Sequence, residues 1–312
     1  MMSEIRKDYF LNRYVIVTPA RAKRPKQAAP RIIQPRYSHQ ECPFCPDGVE
    51  KKLIIKEYPS FNKQWPWSVL VLKNKYPAVI LTNPRAYGQH EVIIETPDHD
   101  RELSQLSVKE IISLLRVFQD RTKELSQIPK IDYILVFKNE GGWSGATLSH
   151  AHCQVFASQL LPPDLSEEFS VAHQYRLKRH HCPYCEIIEK EEKGPRRIYT
   201  DNYIVAFTPY ASAYHYESWI FSRRHIDNIT NLSRPEIEIL AKVLKEILQK
   251  ICHLKLSYNF FLHQAILEKD QHFYLKIQPR EAIWGGIELG SGIVVNSLAP
   301  EVAARYLKIG RG

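Results

Sequence analysis

The chain has 312 residues, 44% of them hydrophobic and 25% charged, with a formal net charge of +9. That is the make-up of a soluble globular protein with room for one to three domains. No apolar run approaches the roughly 20 residues that cross a bilayer, and "MMSEIRKDYF" lacks the apolar stretch of a secretory signal, so a cytoplasmic protein without a membrane partner is expected.

In chain order, the first half presents "CPFC" (Cys42, Cys45), "NKYPAV", and then "HEVIIETPDHDRELSQLS". Ser107 and Glu110 have capping-box spacing, and apolar residues at Ile111, Ile112, Leu115 and Phe118 follow with helical periodicity. A β-rich run, "IDYILVFKN", leads through the glycine-rich "NEGGWSGATL" to "SHAHCQ". The second half repeats the series: "CPYC" (Cys182, Cys185), "DNYIVAF", "YESWIFSRRHIDNITNLS", a Ser233–Glu236 capping box, a helix through Ile237, Leu240, Val243 and Leu244, "LSYNFFLHQ" and "QHFYLKIQ". Aligning His99 with His225 brings Leu106-Ser107 onto Leu232-Ser233. The expected fold is therefore α+β: two tandem units, residues 1–165 and 166–312, each a mostly antiparallel sheet with one long packed helix.

Six cysteines without a secretion signal argue against a disulfide framework, and four of them form the two C-x-x-C pairs. Such pairs in a reducing compartment mean redox chemistry or zinc, and zinc needs two further ligands. The repeat supplies them, giving Cys42, Cys45, His99 and His150 in one half and Cys182, Cys185, His225 and His272 in the other. Thiolate with imidazole suits zinc, and four protein ligands make a closed structural tetrahedron. Two structural zinc ions per chain are expected, with His180 and His181 competing as ligands of the second and iron or another metal open at either site.

His152 and Gln154 share a strand face with His150, since alternate residues point the same way. Their counterparts in the second half are Tyr274 and Lys276. A residue needed for folding is needed in both halves, so His152, present in one, is free for chemistry. A neutral imidazole nitrogen is a competent nucleophile towards phosphorus near neutral pH, and the Gln154 amide can donate to a phosphate oxygen. Gly141, Gly142 and Gly145 allow close backbone approach to phosphate or serve as turn residues. The basic residues are dispersed, densest in "RAKRPKQ" and "YRLKRHH", with no basic helix or aromatic nucleic-acid motif. This favours a small anionic substrate over nucleic acid. A zinc-bearing nucleotide- or nucleic-acid-binding module remains the reading from a different class.

"HAHCQ" resembles the His-x-His-x-Gln signature of the galactose-1-phosphate uridylyltransferase branch of the histidine-triad superfamily. "YFLNRYVIVTPARAKRPKQ", "CPFC", "NKYPAV", "TPDHDRELSQLS", "FKNEGG" and "GGIELGSGIVVNSLAPEVAARYL" follow in the family order. The resemblance implies two tandem histidine-triad-like repeats, the second degenerate. It implies that His152 takes UMP from UDP-glucose and passes it to galactose 1-phosphate by double displacement, with Gln154 on the phosphate. Arg21, Arg24, Asn74, Asn139 and Thr147 match positions lining the nucleotide and phosphates, and Ser149, in the signature itself, is expected to bind substrate with them. Glu288 matches a sugar-contacting glutamate that a neighbouring subunit contributes, which implies a homodimer with shared active sites. Where well-known members carry proline and glycine, this chain reads Leu148-Ser149-His150-Ala151-His152-Cys153-Gln154. That is similar to ADP-glucose phosphorylase, which carries AMP on its histidine and releases ADP to phosphate, so uridine versus adenine and the acceptor stay open.

Overall fold

The computed structural model describes residues 3–23, 38–61, 63–266, 271–281 and 284–310. In chain order the elements are β1 (Glu4–Lys7), β2 (Tyr14–Val17), β3 (Ile54–Pro59), β4 (Trp67–Lys73), β5 (Gly88–Ile94), α1 (Val108–Ser126), β6 (Tyr133–Glu140) and β7 (His152–Ser158). Then come α2 (Pro163–Arg179), α3 (Pro183–Glu191), β8 (Arg197–Thr200), β9 (Ile204–Phe207), β10 (Ser218–Ser222), α4 (Arg234–His253), β11 (Ser257–His263) and β12 (Tyr274–Arg280). The C-terminal segment adds α5 (Gly286–Ser291), β13 (Val294–Asn296) and α6 (Pro300–Leu307).

Ten strands form one antiparallel sheet in the order β3-β4-β5-β7-β6-β11-β12-β10-β9-β8. The order reads as a mirror about the β6–β11 seam, where Phe137 faces Phe261 and Asn139 faces Asn259. The α+β architecture read from the repeated strand and helix periods is the one observed. We propose the seam between the repeats at residues 165 and 166, near the start of α2.

The two long helices start where the serines place them. Ser107 Oγ accepts the Glu110 amide at 3.3 Å while Glu110 Oε2 accepts the Ser107 amide at 2.7 Å, and Glu236 Oε2 accepts the Ser233 amide at 2.7 Å. Each bond satisfies a first-turn amide that has no partner inside the helix. Ile111, Leu115 and Phe118 of α1, and Ile237, Leu240, Val243 and Leu244 of α4, pack together against Val136, Val155, Phe260 and Ile277 on one sheet face. Each large side chain buried there contributes about 1.5–3 kcal/mol. On the other face the second half carries an aromatic cluster, Phe10, Tyr184, Phe207, Trp219, Phe221 and Tyr274, under α2 and α3. In the first half the same face carries a smaller apolar cluster, Leu70, Leu72, Val92 and Ile94 with Phe44 against it. A separate three-stranded sheet, β1-β2-β13, joins the two ends of the chain. No helix among the described residues is long and apolar enough to cross a membrane.

Candidate active site

The two Cys/His sets each come together. Cys42, Cys45, His99 and His150 are all buried, with ligand atoms within 4.8 Å of one another, and Cys182, Cys185, His225 and His272 repeat the arrangement. Cys45 Sγ lies 3.2 Å from His99 Nδ1 and Cys42 Sγ 3.5 Å from His150 Nδ1. In the second set Cys185 Sγ lies 3.6 Å from His225 Nδ1 and 3.8 Å from His272 Nδ1.

His150 and His272 are oriented alike. His150 Nε2–H donates to the Thr96 carbonyl at 2.8 Å, and His272 Nε2–H donates to the Ser222 carbonyl at 2.8 Å. Both bonds leave Nδ1 with its lone pair directed at the sulfurs, the outer hydrogen bond that fixes the tautomer of a metal-ligating imidazole. The "CPFC" loop is tight enough that a Cβ on Gly48 would sit 2.1 Å from the Cys42 carbonyl oxygen. Burial, with Cys42 beside it, pushes the Cys45 thiol up to about 12. A divalent cation supplies the charge that a buried thiolate pair lacks, so the donor set fits a metal. The competing His180 and His181 are exposed and stand outside the cluster.

His152 sits at the start of β7, 7% exposed. Its Nδ1–H donates to the His150 carbonyl at 2.8 Å, which leaves the Nε2 lone pair for other use. Burial first, then the positive charge of Lys138, hold its pKa down at about 4, so the ring is neutral. Lys138 is wholly buried beneath it, with Nζ 2.9 Å from Glu95 Oε1, 3.0 Å from Glu140 Oε2 and 3.4 Å from the His152 carbonyl oxygen. The edge of Phe44 packs at 5.1 Å from the His152 ring.

His152 and Gln154 open on a cavity of about 200 Å³, shared with Phe44, Leu72, Asn74 and Thr147. Its apolar wall and convergent amides suit the flat base and the phosphate of a nucleotide. Of the residues singled out in the sequence, Asn74 and Thr147 line this cavity with His152 and Gln154. Asn139 does not line this cavity; its Oδ1 accepts from Asn259 Nδ2 at 2.7 Å across the seam. Ser149 is half-buried just before the strand and is not among the lining residues. Arg21 is exposed in a short helical turn, Pro19–Lys23, and its charge acts on Glu288. Glu288 caps α5, accepting from the Gly285 amide at 2.9 Å, and lines a different cavity with Trp284 and Val294. Arg24 lies outside the described residues.

Sequence reasoning missed His90, whose Nε2 lies 2.9 Å from Gln154 Oε1, and the Lys138 cluster. A signal for His90 existed: the repeat alignment sets it against Tyr216, so it too is a histidine present in one half alone. The Lys138 charges carry no pattern in sequence, because Glu95, Glu102, Lys138 and Glu140 meet only through the folding of β5, β6 and the turn between β5 and α1.

Residues 1–162 match the family described as galactose-1-phosphate uridyl transferase, N-terminal domain. The chain is 31% identical to the ADP-glucose phosphorylase of Arabidopsis thaliana, over 98% of this chain and 92% of that one. It is also 31% identical to the galactose-1-phosphate uridylyltransferase of Thermotoga maritima, over 98% of each. Among solved structures, that of an ADP-glucose phosphorylase from Arabidopsis thaliana with bound ADP-glucose is similar at a TM-score of 0.86 and 29% identity, covering 100% of this chain and 99% of that one. A uridylyltransferase structure is similar at a TM-score of 0.75 and 26% identity, covering 98% and 97%.

Proposed function

The chain belongs to the galactose-1-phosphate uridylyltransferase family of the histidine-triad superfamily, a nucleotidyltransferase by that membership, and from this premise we propose that it transfers UMP from UDP-glucose to galactose 1-phosphate through His152. The observation that carries the reading is the neutral His152 ring, tied through Nδ1–H to the His150 carbonyl, on a cavity whose polar donors include Gln154 and Asn74.

His152 Nε2 attacks the α-phosphorus of UDP-glucose. The N–P bond forms as the bond to the departing glucose 1-phosphate oxygen breaks. Positive charge that develops on the imidazole is spread to Nδ1–H and met by the His150 carbonyl dipole. Gln154 and Asn74 amide groups donate to the non-bridging phosphate oxygens, where charge builds in the transition state. A phosphate oxygen of galactose 1-phosphate then attacks phosphorus, the N–P bond breaks, and UDP-galactose leaves with His152 neutral again. Cys42, Cys45, His99 and His150 hold one zinc ion and Cys182, Cys185, His225 and His272 the other, both as structural ions in this reading. Bound by the first set, the ion would fix the backbone at His150, two residues before His152.

Glu288 and Arg21 stand together away from the His152 cavity. That separation supports a homodimer in which each C-terminal segment serves the partner's site. A second reading, ADP-glucose phosphorylase with AMP carried on His152 and discharged to phosphate, is favoured by the TM-score of 0.86 to the Arabidopsis enzyme.

Intact-protein mass spectrometry after brief incubation with each donor tests both readings. A UMP adduct from UDP-glucose that vanishes on adding galactose 1-phosphate supports the first. An AMP adduct from ADP-glucose discharged by phosphate replaces it with the second. No adduct from either sinks nucleotidyl transfer through His152. For Gln154→Ala we expect turnover to fall about 10- to 100-fold with no change in the thermal unfolding midpoint. Unchanged turnover would remove Gln154 from the phosphate.

A further inference from the structure

We infer that His90 is a positioning residue that sets the polarity of the Gln154 amide, turning its NH2 group towards the transferred phosphate. The inference rests on the proposed transfer through His152, and its logic begins at the backbone. The Ala78 amide N–H donates to His90 Nδ1 at 3.2 Å. A backbone N–H cannot reverse its role, so Nδ1 carries a lone pair and the proton of the neutral ring sits on Nε2. That proton is directed at Gln154, whose nearest atom is Oε1 at 2.9 Å. Were the amide turned over, its NH2 would meet an N–H and two donors would face each other without an acceptor. Oε1 is therefore held against His90, and both amide hydrogens of Gln154 are left for the cavity it shares with His152.

Asn74 is polarised from the same loop. Its Oδ1 accepts the Tyr76 amide N–H at 2.9 Å, and its own amide N–H donates to the His90 carbonyl at 2.9 Å. The Asn74 Nδ2 lies 3.4 Å from His90 Nε2; both are donors, so Asn74 Nδ2 also keeps its hydrogens for a ligand. Two backbone N–H groups of the "NKYPA" segment thus fix two side-chain donors on one cavity. Burial favours the neutral form of His90, the form this arrangement requires. Donors oriented before the substrate arrives need no reorganisation as charge develops on the phosphate.

The test compares His90→Leu and His90→Gln, alone and on a Gln154→Ala background, by the single-turnover rate of nucleotide adduct formation on His152. His90→Leu should slow adduct formation about tenfold, the worth of one neutral hydrogen bond, mainly in kcat rather than KM. His90→Gln offers an amide N–H to Gln154 and should recover most of the rate. On the Gln154→Ala background His90→Leu should add less than about twofold, since the two act as one unit. Equal losses on both backgrounds, or an unimpaired His90→Leu, overturn the inference. If the parent protein forms no adduct with either donor, the transfer reading fails separately. Nitrogen-15 NMR of the His90 ring then decides the polarity, with a proton on Nδ1 counting against it.

Discussion

His152→Gly should abolish nucleotide transfer while leaving the metal content of the protein intact. A double displacement has no second route once its nucleophile is gone, so the rate should fall by about 10⁴-fold or more. The structural cost is far smaller. The ring gives up one hydrogen bond to the His150 carbonyl and one edge contact with Phe44, a loss of roughly 1–3 kcal/mol. The neighbouring His150 is held independently, by the Thr96 carbonyl on Nε2 and by the cysteine sulfurs facing Nδ1. Metal analysis beside a transfer assay checks this. Metal loss matching that of His150→Ala would mean that the roles of the two histidines have been exchanged.

Cys42→Ser or His99→Ala should act the other way, costing metal and fold together. Structural zinc contributes on the order of 10–16 kcal/mol in small zinc domains, which rivals the whole stability of about 5–15 kcal/mol of a typical protein. All four groups of this cluster are buried, so a three-ligand remnant leaves polar groups and charge stranded in the core. A drop of several kcal/mol, on the order of 10 °C in the unfolding midpoint, is expected. The second cluster is more open, with Cys185 and His225 half-buried, so Cys185→Ser should release its metal with a smaller fall. Calorimetry with metal analysis reads both. Full metal and an unchanged midpoint in Cys42→Ser would remove Cys42 from the metal site.

The parts of the molecule legible in its sequence are those where chemistry or periodicity leaves few choices. Helix α1 announces itself by Ser107, Glu110 and the spacing of Ile111, Leu115 and Phe118. The eight residues of the two Cys/His clusters are legible because thiol and imidazole recur in the same order in both halves, although the pairs that meet lie far apart in the chain. What escaped was fixed by distant contacts between unremarkable residues. The β1-β2-β13 sheet consists of strands of three or four residues from opposite ends of the chain, too short to show alternation. Asn139 matched a nucleotide-lining position, and only the fold shows its Oδ1 accepting from Asn259 across the seam. Lys138 reads as a polar residue near a strand end, and only the fold shows it beneath His152 between Glu95 and Glu140.

The mirrored order of the large sheet makes each half the cover for the other's exposed edge. Between β6 and β11 the backbone groups of Phe137 to Glu140 are paired with those of Tyr258 to Phe261. Taken apart, each half would present that strand as a row of unpaired amides and carbonyls, a template for joining another chain. The most economical partner for a lone first half is a second copy of itself, meeting edge to edge. Such a pair would carry two copies of His152 in one sheet, where the intact chain carries one.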